Sequence, residues 1–244
     1  KNILFFGGGN IAQSIISGLL SNGMSSKNIF FIDRNPLNKK KLNKLKIKSL
    51  KKSNSDMNMV ILSVKPKDAI QAYKEILNNY KNPKIVSLVA GIKSSTYIKL
   101  DNKSEFMRAM PNTASKYSQG ITALYNSSFK KSNFKKVSSI FSKLGTVIEV
   151  DNDSKIDTFT GVIGSGPAYF FQTLKSFEKK LMRLCNQDEK IVREIIANLM
   201  KGVGSSIEKD GDLDNLIKAV ASKKGTTEAG LKSLKSNNLN QIFE

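Results

Sequence analysis

A glycine-rich run at residues 7–12 follows the hydrophobic residues 3–6 and has the pattern G-x-G-x-x-A. Gly7 permits a tight turn, Gly9 lets the backbone approach a pyrophosphate, and Ala12 allows the following helix to pack closely on the strand. The free N–H groups and the positive dipole end of that helix attract the same anion. This context favours a dinucleotide site over an ordinary glycine-rich turn between a strand and a helix. The expected cofactor contacts are Phe6, Gly7, Gly8, Gly9, Asn10, Ile11 and Ala12.

Two residues of opposite charge follow the next hydrophobic run, residues 29–32. Asp33 lies 21 residues past Ala12, where an acid bonds the ribose 2′-hydroxyl of NAD. Arg34 lies where a cation holds the 2′-phosphate of NADP, and a solvated loop is the alternative for both residues. We expect NADPH as the cofactor, with NADH as the competing choice, because Arg34 and the surrounding lysines favour an additional phosphate.

Small and polar residues end two further hydrophobic runs, at positions that would line the same crevice. In a parallel sheet the carboxyl ends of the strands surround the bound ligand. Pro66 cannot continue a sheet ladder, so the chain must leave the sheet there. The additional cofactor contacts predicted from these runs are Ser63, Val64, Lys65, Pro66, Ala90 and Gly91.

A cluster of hydroxyl and backbone N–H groups is expected at Gly225-Thr226-Thr227-Glu228, where a helical pattern begins. Such a cluster can bind a small carboxylate. On local pattern alone, a plain helix cap is an equally good interpretation.

The elements that would position these residues change in type halfway along the sequence. The first half alternates apolar runs with helical patterns, as in a parallel sheet covered by helices on both faces. Strands are predicted at 3–6, 29–32, 59–64, 84–89, 105–109, 121–125 and 146–150, and helices at 11–20, 37–45 and 68–80. Later helices are predicted at 167–185, 188–209, 213–221 and 227–234. We therefore predict an α/β fold: a Rossmann-type doubly wound sheet that binds NAD(P) at 1–150, followed by an all-helical dimerisation and substrate domain at 151–244.

The predicted helical domain is small, and its helices carry wide apolar faces. A core of that size is meagre on its own, so burial against a second subunit in a homodimer is expected. The sequence has no apolar run approaching 18 residues, so no membrane span is expected. The N-terminal residues lack the layout of a signal peptide.

The composition excludes several kinds of active site. The 244 residues include no His and one Cys, Cys185, so neither a His-based catalytic triad nor a His- or Cys-ligated metal is expected. A single cysteine suits a reducing compartment, and we expect a cytoplasmic protein. The net charge of +20 raises the alternative of nucleic-acid binding. Only four of the 40 basic residues are Arg, the residue that base and phosphate recognition favours, so no nucleic-acid partner is expected.

Taken in order, the motifs of this chain resemble those of the pyrroline-5-carboxylate reductase family. The resemblance runs from Gly7 to Leu234 through FFGGGNIAQSIISGL, LSVKPKD, SLVAGI, RAMPNTASKYSQGITAL, DTFTGVIGSGPAYFF and GTTEAGLKSL. It implies hydride transfer from NAD(P)H to the C=N carbon of 1-pyrroline-5-carboxylate, a small imino acid, to give L-proline. It also implies a helical domain that interlocks with a partner subunit, and rings of dimers.

The resemblance also implies roles for individual residues. Asn112 should lie near the nicotinamide, and Gly225 and Thr226 should offer backbone N–H groups to the substrate carboxylate. Thr227 is the predicted catalytic residue, with its hydroxyl near the ring nitrogen. Asp153 occupies the position of an often-found Glu and is the remaining predicted substrate contact.

The sequence departs from the family pattern around the substrate rather than the cofactor. The family's loop usually reads S-P-G-G-T-T, and here Lys223 and Lys224 replace the Pro and the first Gly. Lys224 is strained if that position needs positive φ, whereas the added cations would help to hold a carboxylate. Lys175 lies where the family usually has an acidic residue. These changes leave open a diverged relative that reduces another cyclic imine acid, or that binds cofactor without turnover.

Overall fold

An eight-stranded sheet forms the centre of the N-terminal half of this computed structural model, which describes residues 2–50 and 57–242. The strands are β1 (Asn2–Phe6), β2 (Ile29–Ile32), β3 (Lys48–Ser49), β4 (Met57–Leu62), β5 (Lys84–Ser87), β6 (Glu105–Pro111), β7 (Gly120–Asn126) and β8 (Gly145–Val150). The first-half helices are α1 (Asn10–Ser21), α2 (Pro36–Lys44), α3 (Ala69–Asn79), α4 (Ser94–Leu100), α5 (Lys131–Ser142) and α6 (Asp153–Phe159). The later helices are α7 (Gly166–Leu184), α8 (Glu189–Asp210), α9 (Leu213–Val220), α10 (Thr226–Ser236) and α11 (Leu239–Ile242).

The strand order is β3-β2-β1-β4-β5-β6-β7-β8, which confirms the predicted doubly wound sheet. All neighbouring strands pair in parallel except β6 and β7, which pair antiparallel. Residues 112–119 join these two strands through a short helical turn. A parallel crossover needs a dozen or more residues, so this connection can only return the chain in the opposite direction.

The central strands are buried on both faces, which explains their continuously apolar sequences. Ile3 and Phe5 of β1 pack into one hydrophobic cluster, with residues of α1 and α5. Leu4 and Phe6 point to the other face and pack with residues of α3 and α4. Because alternate residues of a strand face opposite sides, only a strand covered on both sides needs an uninterrupted apolar run.

Three helices of the first half were not predicted from the sequence. In α5 the apolar residues Phe134, Val137 and Phe141 are buried at steps of three and four, a helical signal diluted by lysines and serines. α4 and α6 have seven residues each, too few for a clear periodicity. The side chain of Asn152 caps α6 by accepting a hydrogen bond from the Lys155 N–H.

Internal contacts divide the chain into an N-terminal unit, Lys1–Ala168, and a C-terminal unit, Tyr169–Glu244. The C-terminal unit is helical, as predicted. The functional assignment of 1–150 to the cofactor and of 151–244 to dimerisation and substrate stays a prediction. Among the described residues, no helix is long and apolar enough to cross a membrane.

The C-terminal unit leaves large apolar side chains in contact with solvent. Among its described residues, only Val192 is buried. Along α8 a stripe of aliphatic residues recurs every four positions, each between 37% and 47% exposed: Ile191, Ile195, Leu199, Val203 and Ile207. A helix face of this kind normally packs against another apolar surface.

Candidate functional site

A cleft of about 800 Å³ opens at the carboxyl ends of β1, β2, β4 and β5. The strand order reverses between β1 and β4, the position at which doubly wound sheets bind their ligands. Eleven of the predicted cofactor residues line this cleft: Phe6, Gly7, Gly9, Asn10, Ile11, Arg34, Ser63, Val64, Lys65, Pro66 and Ala90. Residues that line it without having been predicted as contacts include Asn38, Gln71, Glu75, Leu88 and Thr113.

Four predicted cofactor residues do not line the cleft. Ala12 is fully buried beneath it, where a small side chain lets α1 pack on the sheet. Gly91 follows Ala90 with a φ of +74°. Asn112 is buried beside Thr113, and its Oδ1 accepts a hydrogen bond from the Ile121 N–H at 3.2 Å.

The fourth of these residues is Gly8, whose peptide group is held by side chains. Its N–H donates to Asp33 Oδ2 at 2.5 Å, and its carbonyl accepts from Gln13 Nε2 at 2.7 Å. Asn38 closes the ring, since its Nδ2 donates to Asp33 Oδ2 at 3.0 Å and its Oδ1 accepts from Gln13 at 3.3 Å. Asp33 Oδ1 accepts from the Asn35 N–H at 2.6 Å. The glycine loop is thereby fixed to the start of α2.

The glycines of this loop fit a bound diphosphate group. Gly7 has a φ of +105°, and a Cβ there would lie 2.5 Å from the Ser63 carbonyl oxygen. Gly9 has open space around its missing Cβ, with no described atom within 4 Å. No side chain of the described residues caps the start of α1, so its first-turn amides remain available to an anion.

The outer rim of the cleft carries an ion pair. Arg34 Nη2 lies 3.4 Å from Glu75 Oε2, and the Arg34 side chain is 88% exposed. Glu75 belongs to α3, whereas Arg34 follows β2, so the pair joins two elements that border the cleft.

Asp153, a predicted substrate contact, lies in a network around a buried arginine. Arg108 Nη1 is 2.7 Å from Asp153 Oδ1, and Arg108 Nη2 is 3.0 Å from Asp157 Oδ1. Asp153 Oδ2 accepts hydrogen bonds from the Ser94 N–H at 3.1 Å and the Ser94 hydroxyl at 2.6 Å. Both oxygens are therefore engaged with β6 and α4, and a substrate role for Asp153 stays a prediction.

The second group of predicted substrate residues lies in the C-terminal unit, where α10 begins. Gly225 is the N-cap of α10, and Thr226 and Thr227 form its first turn, with no capping side chain among the described residues. Lys224 has a φ of +58°, so it adopts the left-handed conformation expected if a glycine is needed there. The Lys224 N–H donates to the Glu228 carboxylate, and the Gly225 N–H donates to the Ser222 carbonyl oxygen at 3.1 Å.

The strand order, the glycine loop and the cleft define a dinucleotide-binding domain of the Rossmann type. Two family models match the chain: NADP oxidoreductase coenzyme F420-dependent at residues 2–91, and pyrroline-5-carboxylate reductase dimerisation at residues 153–244. Pyrroline-5-carboxylate reductase 1 of Bacillus subtilis is 30% identical over 249 residues, covering 97% of this chain and 82% of that protein. The enzyme of Haemophilus influenzae is 29% identical over 252 residues, covering 100% of this chain and 93% of that one.

A solved pyrroline-5-carboxylate reductase from Coxiella burnetii has the same fold. It superposes with a TM-score of 0.81 at 27% identity, covering 99% of this chain and 93% of that chain. This chain belongs to the pyrroline-5-carboxylate reductase family of oxidoreductases.

Alanine at Gly7 and at Gly9 should separate folding from cofactor binding. Gly7→Ala places a methyl group against backbone at positive φ, so we expect a loss of more than about 2 kcal/mol in the free energy of unfolding. Gly9→Ala should cost less than about 1 kcal/mol in stability. Its methyl group enters the cleft, so NADPH affinity should fall on the order of tenfold, because overpacking costs roughly 1–3 kcal/mol. Denaturant unfolding measures the stability of each variant, and NADPH fluorescence titration measures its affinity for the cofactor. Equal losses of stability and of affinity in both variants would contradict the assigned roles of Gly7 and Gly9.

Glycine at position 224 should relieve backbone strain. The left-handed conformation costs a side-chain-bearing residue roughly 1–2 kcal/mol, and glycine's greater entropy loss offsets part of the gain. We expect Lys224→Gly to raise the free energy of unfolding by up to about 1 kcal/mol. Lys223→Gly is the matched control, since Lys223 is not among the positive-φ residues, and it should stabilise nothing. A loss of stability in Lys224→Gly would refute the strain.

Removing the charge of Asp153 should change how stability depends on pH. Burial disfavours the charged form, but hydrogen bonds from Arg108 and Ser94 outweigh it and hold the pKa of Asp153 below its ordinary value of 3.8. A lowered pKa gives a stabilisation that is complete above the ordinary value and is lost as the pH falls through the lowered one. The unsubstituted protein should therefore lose stability more steeply below about pH 5 than Asp153→Asn.

At neutral pH, Asp153→Asn should be less stable by about 1–3 kcal/mol, because a charged hydrogen-bond partner of a buried arginine is lost. Asp151→Asn is the control, because Asp151 pairs with Lys155 in an exposed i,i+4 contact. Denaturant unfolding at several pH values provides the comparison. Parallel pH profiles for the unsubstituted protein and Asp153→Asn would contradict the assigned network.

Proposed function

We propose that this chain reduces 1-pyrroline-5-carboxylate to L-proline with NADPH, the last step of proline biosynthesis, with NADH as a poorer donor. The observation that carries the proposal is full-length membership of the reductase family, with a match over 97% of the chain. The cleft with its glycine loop supports binding of the cofactor. The NADP oxidoreductase model at residues 2–91 precedes the dimerisation model at residues 153–244, in the expected order. The alternative is a diverged relative, favoured by the lysines at 223 and 224.

In this proposal the N-terminal unit holds and orients the nucleotide. Gly7, Gly9 and the first-turn amides of α1 bind the diphosphate, and Arg34 faces the 2′-phosphate. The residues at 63–66, with Ala90 and Gly91, border the nucleotide, and Asn112 lies at the nicotinamide end. The bound cofactor supplies the hydride that reduces the C=N carbon, and is itself oxidised. Orientation of the reacting carbon supplies much of the remaining rate, because a protonated imine is already electrophilic.

The proposed substrate contacts come from the start of α10. The N–H groups of Gly225, the N-cap, and of Thr226, in the first turn, bind the substrate carboxylate, helped by the positive end of the helix dipole. The Gly225 N–H exchanges its bond to the Ser222 carbonyl oxygen for the carboxylate. The Thr227 hydroxyl accepts a hydrogen bond from the protonated ring nitrogen, which keeps its proton and becomes the amine of proline. Asp153 stays a proposed substrate contact, although its carboxylate also accepts hydrogen bonds from Arg108 and Ser94.

We also propose that the chain works as a homodimer in the cytoplasm, built through residues 151–244, with rings of dimers as the larger assembly. The exposed aliphatic stripe on α8 supports the dimer, because the C-terminal unit buries little apolar surface by itself. The single free cysteine, Cys185, suits a reducing compartment. Residues 1–150 are the proposed cofactor domain, without a nucleic-acid or membrane partner.

Thr227→Ala tests the substrate assignment. We expect kcat/KM for pyrroline-5-carboxylate to fall on the order of 10- to 100-fold, a loss of roughly 1.4–2.8 kcal/mol of transition-state stabilisation, with NADPH affinity unchanged. Thr227→Ser keeps the hydroxyl and is the matched control, which should retain most activity. Proline formation and oxidation of the reduced cofactor are measured together with each nucleotide. An equal loss of substrate and cofactor handling would contradict the role.

The same assay decides between the two functions. Folded, unsubstituted protein that forms no proline with either cofactor would overturn the proposal. The diverged-relative alternative requires that Lys223→Pro with Lys224→Gly restores or raises proline formation. If the unsubstituted chain is active and the double variant is no faster, that alternative is eliminated.

A further inference from the structure

Asp33 lies where an acid hydrogen-bonds the ribose of NAD, yet its carboxylate already accepts hydrogen bonds from groups of the chain itself. It accepts three hydrogen bonds, from the Gly8 N–H, the Asn35 N–H and the Asn38 side chain. A carboxylate has about four acceptor positions, so most of its capacity holds the glycine loop in place. Asp33 is therefore a positioning residue for the loop, and discrimination between the two nucleotides depends on its neighbours at the rim.

Arg34 is the neighbouring cation, and it is paired with Glu75 across the rim of the cleft. The Nη2–Oε2 distance of 3.4 Å and the exposure of both side chains describe a weak, exchangeable ion pair. An incoming anion can replace Glu75 as the partner of Arg34, but it must break this pair, which costs up to about 1 kcal/mol. Binding of a 2′-phosphate at Arg34 then brings two negative groups to the same guanidinium.

We propose that Glu75 is a specificity-determining residue that competes with the 2′-phosphate for Arg34 and so limits the preference for NADPH over NADH. A phosphate monoester carries nearly two negative charges at neutral pH, whereas the 2′-hydroxyl of NADH carries none. Glu75 therefore opposes only the phosphorylated nucleotide, both by holding Arg34 and by repelling the phosphate. The inference rests on the proposed function, because it concerns the cofactor of the same reaction.

Glu75→Gln tests the competition by removing the charge while keeping the shape of the side chain. The probes are 2′,5′-ADP and 5′-AMP, which differ in the 2′-phosphate and need no catalysis. We expect 2′,5′-ADP to bind about 3- to 10-fold more tightly to Glu75→Gln, with 5′-AMP unchanged. The gain should shrink at high salt, because these charges are exposed to solvent. Calorimetric titration gives both affinities.

Asp68→Asn is the matched control, because Asp68 also lines the cleft and makes no ion pair with Arg34 among the described residues. It should change 2′,5′-ADP binding less than Glu75→Gln does. In an Arg34→Ala background, Glu75→Gln should lose most of its effect, which identifies Arg34 as the group under competition.

The outcomes separate this inference from the proposed function. The competition is overturned if Glu75→Gln leaves the affinity for 2′,5′-ADP unchanged or lowers it. It is also overturned if the substitution changes the affinities for both probes equally. Either result counts even if proline is formed normally. An effect matched by Asp68→Asn, or retained in Arg34→Ala, also overturns the competition. If the unsubstituted protein binds neither probe, the competition at Arg34 is overturned, whereas the proposed function is decided separately by the proline-forming assay. A gain confined to 2′,5′-ADP supports the competition whatever imine the enzyme reduces.

Discussion

The close approach of Gly7 to the end of β4 is the contact on which the cofactor cleft depends. The chain turns there at positive φ, and the Ser63 carbonyl occupies the space that a Cβ would need. The Ser63 hydroxyl donates back to the Gly7 carbonyl oxygen at 2.7 Å, which ties the two strand ends together. This contact sets the direction in which α1 leaves the sheet, so the first-turn amides of α1 meet the cleft at the switch point of the strand order.

The parts of the fold that were predictable are those where one physical requirement acts on a whole segment. Burial on both faces makes residues 3–6 of β1 and 59–62 of β4 continuously apolar, so the existence of both strands follows from sequence alone. The hydrogen-bond partners of Asp33 do not follow from the sequence. An acid is needed at this strand end both to recognise the ribose and to hold the Gly8 peptide group. Asp153 is similar: the family resemblance suggests a functional carboxylate there, and only the fold brings Arg108, 45 positions earlier, to its side.

The effect of the net positive charge on ligand binding depends on where the carboxylates lie. Asp33 and Asp153 lie near the expected ligands, but each is neutralised or occupied by donors of the chain itself. The cations Arg34 and Lys65 line the cleft and are exposed to solvent, but the acids Asp68 and Glu75 line it as well. The positive field that an arriving anion meets therefore comes from the net charge of +20 over the whole sequence rather than from the cleft alone. A nicotinamide nucleotide and an imino-acid carboxylate are both anions, and such a field raises their encounter rate without specifying either.

The helices of the C-terminal unit are easy to predict from sequence, yet they leave apolar surface uncovered within one chain. The four long helical segments follow from periodicity, yet each residue of the aliphatic stripe on α8 remains between 37% and 47% exposed within one chain. Apolar surface of that extent costs free energy in water, and among the described residues of the C-terminal unit only Val192 is buried. A self-complementary surface on a second copy meets the requirement with no new sequence, which is the ordinary route by which symmetric dimers arise. In the proposed homodimer, burial of this stripe would contribute to the folding free energy of the C-terminal unit rather than follow from the association of finished subunits.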